Sequence, residues 1–468
     1  MQRRLLLLLA LLALISGFAV TSTTISAHAV SRCITPGSTH TLQGTLQGAN
    51  YTIAVPSNWN GTLALYSHGY VFSTLPLLKP APDASDAASG AVLLTQGYAL
   101  AGSSYSQNGW ALQQAFHDQI TLLDYFDATC GKPTRTVAWG DSLGGMITAG
   151  LVQLYPNRIT GALPMCGVVA GGIGTWNQAL DSAFAFNVLL AGSTLPVVHI
   201  TDPNATLTKA ENILSTAQST PQSRARIALI AALADVPGWF NAASPEPSSQ
   251  DYMTREQNQF LWESKVDFLF AFGARAELEY RAGGNPSWNT GVNYRKQLAL
   301  SVDNSEVKAL YKQAGLNLSK DVDALNDAPR IKADPAAKRY LTKYITFNGD
   351  LDLPVLTLHT TGDGLVVNED EQAYKSVVRS QDDASMLRQT FIHRAGHCTF
   401  TPAEKLAAFG TLIHRLNTGK WGNSTNPTLL NTEAASFGPQ LNPAPPAFIP
   451  FTPTPFLRPY DVRNESWY

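Results

Sequence analysis

Two stretches of this chain alternate short apolar runs with amphipathic ones, and a long strand-poor stretch separates them. In residues 40–170, the segments 52–55, 62–66, 98–101, 134–139 and 161–169 read as strands, and 87–96, 112–127 and 144–155 read as helices. The second of these helices carries Leu112, Phe116, Ile120, Leu123 and Phe126 at helical spacing. Alternating strands and helices build βαβ units, and βαβ units build a parallel sheet. The pattern returns in 353–418, with strands at 354–360 and 388–392 and helices at 369–378 and 401–416. Thr401-Pro402-Ala403-Glu404 opens the last helix as a capping box with proline at its first position. The sequence therefore predicts an α/β fold that is interrupted and then completed.

Residues 171–352 carry helix signals in place of strand signals. Thr208 and Glu211 are spaced as a capping box; Ile227, Ile230 and Leu233 form a helical stripe. A long amphipathic helix is expected over 257–280, and Asp334-Pro335 reads as an N-cap followed by proline. The segment is long enough to be a domain of its own. Residues 421–468 are rich in proline and are expected to lie extended, not helical, with Phe448, Phe451, Phe456, Tyr460, Trp467 and Tyr468 against the body.

At the other end, Arg3 and Arg4 precede an apolar run from Leu5 to Val20, and Ala27-His28-Ala29 is a cleavage pattern. Residues 1–29 read as a secretory signal peptide, so the expected location is extracellular. No later apolar run is long enough to span a bilayer, so no membrane partner is expected after cleavage. With 33 Lys+Arg against 35 Asp+Glu and no basic block, the chain lacks the electrostatic footprint of a nucleic-acid binder. Four cysteines, Cys33, Cys130, Cys166 and Cys398, favour disulfides in an exported protein, and spacing alone allows three pairings. None sits in a metal-ligand pattern. No P-loop, H-E-x-x-H or dinucleotide fingerprint follows a strand, so no metal or cofactor is implied.

Three motifs carry chemistry. Gly140-Asp141-Ser142-Leu143-Gly144 is a G-x-S-x-G placed after a strand and before a small-residue helix. A serine there sits on a tight strand-to-helix turn with the positive end of the helix behind it. Asp363 follows the strand 354–360, and His397 follows the strand 388–392 with Gly396 before it. A neutral histidine can take the serine proton, and a carboxylate can fix the imidazole tautomer. His393 is the rival base. Asp350 and Asp352 are rival acids, but they precede their strand, at the edge opposite the one where parallel sheets bind ligands. Ser67-His68-Gly69-Tyr70 follows the strand 62–66.

With these motifs the chain resembles the α/β-hydrolase superfamily, in particular its secreted, capped esterase- and lipase-like members. The resemblance covers about 40–170 and 353–418. It implies an α/β-hydrolase fold: a mostly parallel sheet flanked by helices, with residues 30–170 and 353–420 as core. A large helical cap, 171–352, is inserted before the strand that carries the catalytic aspartate. It implies a Ser142–Asp363–His397 triad, with the backbone N–H groups of Tyr70 and Leu143 as oxyanion hole. His68 is left with a structural job, bonding a loop carbonyl. The implied fold puts Cys166 and Cys398 at the carboxyl edge of neighbouring strands, which suggests a Cys166–Cys398 bridge and leaves Cys33 with Cys130. Some secreted esterases have a cysteine beside the nucleophile, but here Asp141 occupies that place.

The expected activity is hydrolysis of a small carboxylic ester through an acyl-enzyme. An amidase or aminopeptidase with the same triad is the alternative, a fatty or polyester substrate a third reading, and a non-catalytic binding protein a fourth. The segment 171–352 offers Trp176, Phe184, Phe186, Trp239, Phe240, Trp262, Phe268, Phe270 and Phe272 for an apolar pocket or for its own core. A peptidase that reads a free amino terminus needs paired carboxylates there. Glu277 and Glu279 are the close pair, and they fall on different helix faces.

Overall fold

The computed structural model describes residues 33–461; the expected signal peptide at 1–29 and the expected packing of Trp467 and Tyr468 lie outside them. Among the described residues, nine strands form one sheet: β1 (His40–Leu46), β2 (Ala49–Val55), β3 (Thr62–Ser67), β4 (Ala99–Ser103), β5 (Arg135–Asp141), β6 (Gly161–Met165), β7 (Val355–Gly362), β8 (Leu387–Ala395) and β9 (Phe448–Ile449). Their order is β1-β2-β4-β3-β5-β6-β7-β8-β9. The β1–β2, β2–β4 and β8–β9 pairs are antiparallel, and every other neighbouring pair is parallel. Helices α1 (Ala87–Thr95), α2 (Leu112–Cys130) and α3 (Leu143–Leu154) connect the first strands. This is the α/β-hydrolase fold. The strands from β3 to β7 are buried almost throughout, because helices cover both faces, so they read as unbroken apolar runs.

The chain leaves β3 toward β4 and leaves β5 toward β6. The loops at the carboxyl ends of β3 and β5 therefore part, and a crevice opens between them, the place where open α/β sheets bind ligands.

Between β6 and β7 the chain is helical: α4 (Gly171–Leu189), α5 (Pro203–Ala217), α6 (Pro221–Ala232), α7 (Tyr252–Trp262), α8 (Arg275–Ala282), α9 (Tyr294–Leu300), α10 (Asn304–Gln313), α11 (Leu318–Asp327) and α12 (Pro335–Lys343). Phe184, Phe186, Phe268, Phe272 and Leu298 pack into a core separate from those of the sheet. The fold is completed by α13 (Glu369–Arg379), α14 (Pro402–Thr418) and α15 (Pro427–Ser436). One face of the sheet packs on Phe116, Phe126, Ile147 and Tyr374, the other on Leu93, Leu406, Phe409 and Leu430.

Several expectations need correcting. The tail is not wholly extended: α15 occupies Pro427–Ser436, with Asn426 capping the N–H groups of Thr428 and Leu429 and Pro427 at the first position. The strand expected at 161–169 ends at Met165, and the chain then turns into α4. Thr208 lies inside α5, whose N-cap is Asp202, accepting from the Ala205 N–H at 2.9 Å. The helix expected at 257–280 extends from Tyr252 to Ala282, but wide π turns at Glu263–Asp267 and Leu269–Ala274 interrupt it. Asp334 stands at the start of α12, yet its carboxylate accepts the Asn285 N–H at 2.7 Å instead of capping the helix. The Thr401–Glu404 capping box is present in both directions.

Candidate active site

The turn from β5 into α3 is held by close backbone packing. Ser142 has φ 60° and ψ −124°, an uncommon conformation for a residue with a side chain. Its N–H donates to the Met165 carbonyl at 3.0 Å. A Cβ on Gly144 would lie 2.0 Å from the Ser67 carbonyl oxygen, so the approach of α3 to β3 requires glycine there. Asp141 is fixed from below by the Tyr66 hydroxyl, which donates to it at 2.9 Å.

His397 is brought to the same point from the end of β8. Its Nε2 lies 2.8 Å from Ser142 Oγ, and its Nδ1 lies 2.7 Å from Asp363 Oδ2. Asp363 is fully buried, just past β7. Its other oxygen accepts the N–H groups of Leu365 and Val366, each at 3.1 Å, so the carboxylate cannot swing away from the imidazole. Gly396 adopts φ +100°, which turns the chain out of the strand and toward the serine. Its N–H donates to the Gly362 carbonyl at 2.9 Å, tying the two loops together.

The rivals are elsewhere. Asp350 and Asp352 are exposed before β7. His393 is exposed and lies 3.6 Å from Glu246. His68 is buried, its Nδ1 2.7 Å from the Gly69 carbonyl and its ring stacked on Tyr105, as a structural histidine would be. Tyr70 lines the same cavity as Ser142 and Leu143. Leu143 is the first residue of α3, where a helix N–H has no partner within the helix.

Both disulfides form: Cys166–Cys398 and Cys33–Cys130. The first sits directly beside the histidine, with Cys398 Sγ 3.4 Å from His397 Nε2. Its two sulfurs are bonded to each other, so neither offers a metal a thiolate.

His359 belongs to β7 and carries no motif in the sequence. It is buried beneath Asp363, with Nε2 3.7 Å from the carboxylate, and it bonds Glu371 at 3.2 Å and the Val366 carbonyl at 2.8 Å. Burial alone would lower its pKa. The hydrogen bond and charge of Glu371, together with the charge of Asp363, raise it to about 9.

The cavity over Ser142 is walled by Tyr70, Trp110, Val168, Trp176, Phe270 and Leu365. Of the aromatics between 171 and 352, Trp176 and Phe270 face this cavity, while Phe184, Phe186, Phe268 and Phe272 form core. Glu277 does not enter it: its carboxylate accepts the Trp110 N–H at 3.0 Å and pairs with Arg281. Two acids not singled out in the sequence line it instead, Glu263 and Asp267. Their spacing of four within a helix was the available signal.

No family model matches the chain. An o-phthalyl amidase of Xanthobacter agilis is 28% identical over 426 residues, covering 84% of this chain and 90% of the amidase. Among solved structures, feruloyl esterase B of Aspergillus oryzae overlays with a TM-score of 0.43 at 14% identity, over 81% of each chain. An acylaminoacyl peptidase in complex with Z-Gly-Gly-Phe-chloromethyl ketone gives 0.37 at 8% identity, over 81% of this chain and 41% of that one.

Proposed function

We propose that this protein is a secreted serine hydrolase that cleaves a small carboxylic ester by acyl transfer, with Ser142 as nucleophile, His397 as base and Asp363 as its orienting carboxylate. The observation that carries this reading is the unbroken chain from Asp363 Oδ2 to His397 to Ser142 Oγ, at 2.7 and 2.8 Å. A hydroxyl at that distance from a neutral imidazole nitrogen can pass over its proton as it attacks. With Asp363 ionised, Nδ1 carries the hydrogen and Nε2 is free to receive the serine proton. The carbonyl oxygen becomes an oxyanion and meets the N–H groups of Tyr70 and Leu143; in other enzymes one such donor contributes about 3–4 kcal/mol. Collapse expels the alcohol, which takes the proton from His397. Water, deprotonated by the same nitrogen, then releases the acid.

Amide cleavage is the second reading, favoured by the similarity to an amidase over most of both chains. The steps are the same, with an amine as leaving group. The helical segment 171–352 acts in this proposal as a cap that supplies much of the wall above Ser142. Two disulfides support export to an oxidising compartment. Among the described residues no helix is long and apolar enough to cross a membrane.

The test is a fluorophosphonate probe followed by a panel of p-nitrophenyl esters and anilides. Wild type is expected to be labelled on Ser142 and to turn over at least one class, and Ser142→Ala to do neither while remaining folded. Labelling of another serine, or full turnover by Ser142→Ala, refutes the assignment. The ratio of ester to anilide rates decides between the two readings.

A further inference from the structure

The two acids in the cavity have a chemistry of their own. Glu263 is fully buried, and both its oxygens lie 3.0 Å from a single hydroxyl, Ser182 Oγ, whose one proton serves one of them at a time. Asp267 Oδ2 is buried and has no hydrogen-bond partner. Among the described residues, neither carboxyl makes an ion pair, although other buried acids of this segment do: Asp181 with Arg458, Glu256 with Arg224, Glu306 with Arg255. A buried carboxylate left without partner or cation is costly, and such groups are retained where a ligand completes them. Burial raises the pKa of Glu263 to about 7. It raises that of Asp267 well above the ordinary carboxylate range, helped by the charges of Glu263 and Asp363. The wide π turns bring both acids, and then Phe270, to the wall of the cavity that contains Ser142. The same cavity is lined by the aromatic side chains of Tyr70, Trp110 and Trp176, and aromatic faces attract cations.

We propose that Glu263 and Asp267 form a subsite for a cationic substrate group, an ammonium carried on the acyl side, held on the acid pair while the scissile carbonyl lies on Ser142. An ammonium has three donors and no acceptor, which answers an unpartnered carboxyl oxygen and an under-served one. An ammonium also stabilises the ionised carboxylates that burial disfavours, whereas a substrate carboxylate brings no donor to either carboxyl and disfavours their ionisation further. This inference rests on the serine-hydrolase reading and names the substrate class it prefers.

The experiment uses the whole protein and three matched series of p-nitrophenyl esters of varied chain length. One ends in an ammonium, one in a methyl group, one in a carboxylate. At the best chain length, the kcat/KM of the ammonium ester is expected to exceed that of the methyl ester by about tenfold or more, as for a desolvated charge pair. Glu263→Gln and Asp267→Asn keep the shapes of the side chains. Each is expected to bring that ratio down toward one, chiefly through KM. Thermal melting confirms which variants are folded, and either one suffices. Calorimetry on Ser142→Ala with hexylammonium and with hexanol reads the subsite without turnover: hexylammonium should bind about tenfold tighter or more, and should lose that advantage in a Ser142→Ala, Asp267→Asn double variant. Equal kcat/KM for ammonium and methyl esters, a ratio that survives both substitutions, a preference for the carboxylate ester, or equal binding of the two calorimetric ligands overturns the inference. Failure of the methyl esters to turn over at all counts against the hydrolase reading instead, and calorimetry still decides on the subsite.

Discussion

Removing the Cys166–Cys398 bridge should damage activity and stability by separable amounts. The bond joins residues 232 apart, and chain-entropy arithmetic for a loop of that size gives about 5.5 kcal/mol at 25 °C, before any strain. A folded protein holds roughly 5–15 kcal/mol in all, so this one bond is a large share. It also acts on the site. His397 stands between Gly396 and Cys398, which both have positive φ, 100° and 56°, and the loop has the bond to Cys166 on one side and the Gly396 N–H bond on the other. Left-handed conformations at residues with side chains persist where surrounding structure imposes them. Without the bond, a shift of about 1 Å at His397 costs on the order of 100-fold in rate. Cys166→Ser, Cys398→Ser and the double variant are therefore expected to show similar losses, near 5 kcal/mol by urea unfolding and 10- to 100-fold in kcat at 25 °C, since one bond is lost in each.

The second bridge is the control. Cys33–Cys130 closes 97 residues, for about 4.7 kcal/mol by the same arithmetic, and Cys130 ends α2 ahead of β5, at the opposite end of that strand from Ser142. Breaking it should cost comparable stability and leave kcat unchanged at a temperature where the protein is folded. Additive losses in the double variant of Cys166 and Cys398, or a Cys398→Ser protein with unchanged kcat and melting temperature, would refute the reasoning.

Asp363→Asn should lower kcat by about 10⁴-fold, because an amide presents the wrong partner to Nδ1, while Asp350→Asn and Asp352→Asn leave kcat unchanged; steady-state kinetics of the three decides. Glu404 receives Arg394 in a two-pronged pair at 2.7 and 3.0 Å and also accepts the Thr401 and Ala447 N–H groups, so Glu404→Ala should cost about 3–5 kcal/mol in urea unfolding by stranding a buried guanidinium. Burial raises the Asp370 carboxyl to about 8, so the unfolded chain ionises first and this group's contribution to stability declines as pH rises from about 4 through 8. His359, raised to about 9 chiefly by Glu371 against the effect of burial, contributes stability below about pH 6.5 that is lost as pH rises through 9; melting temperature should therefore fall between pH 6 and 9, and Asp370→Asn should make that fall shallower.

The parts of the fold that were legible are those where burial writes itself into composition. β3, β5 and β7 are covered on both faces and read as apolar runs, and Ser142, Asp363 and His397 stand at ends of strands that could be placed. β1 escaped because it is an edge strand with mostly exposed residues, leaving Leu42 and Leu46 as its apolar marks. β9 is two residues long and owes its existence to β8. α15 was hidden by the prolines around it, although Asn426-Pro427 was a start signal in plain view. The acid pair was missed for a different reason. Periodicity says which residues share a helix face, but not that wide turns will bring two carboxyls to the wall of a cavity shared with a serine 121 positions upstream of the first of them.

The tail explains why the cavity can be preformed. After β9 the chain crosses from the sheet to the helical segment. The Thr454 hydroxyl donates to Glu369 at 3.0 Å, the Leu457 N–H to Asp235 at 3.2 Å, and Arg458, almost fully buried, pairs with Asp181 of α4. Tyr460 then packs edge-on against Trp288. On the opposite side, Glu277 and Arg281 of α8 hold the Trp110 N–H and the Asn108 carbonyl. The helical segment is thus fastened to the α/β core at two places, each with charged groups out of water. A buried ion pair adds little net energy over an apolar contact of the same shape, but breaking one is expensive, so such pairs resist partial opening. Walls fixed in this way keep Trp176 and Phe270 at set positions relative to Ser142, so less ordering is left to be done when a substrate arrives.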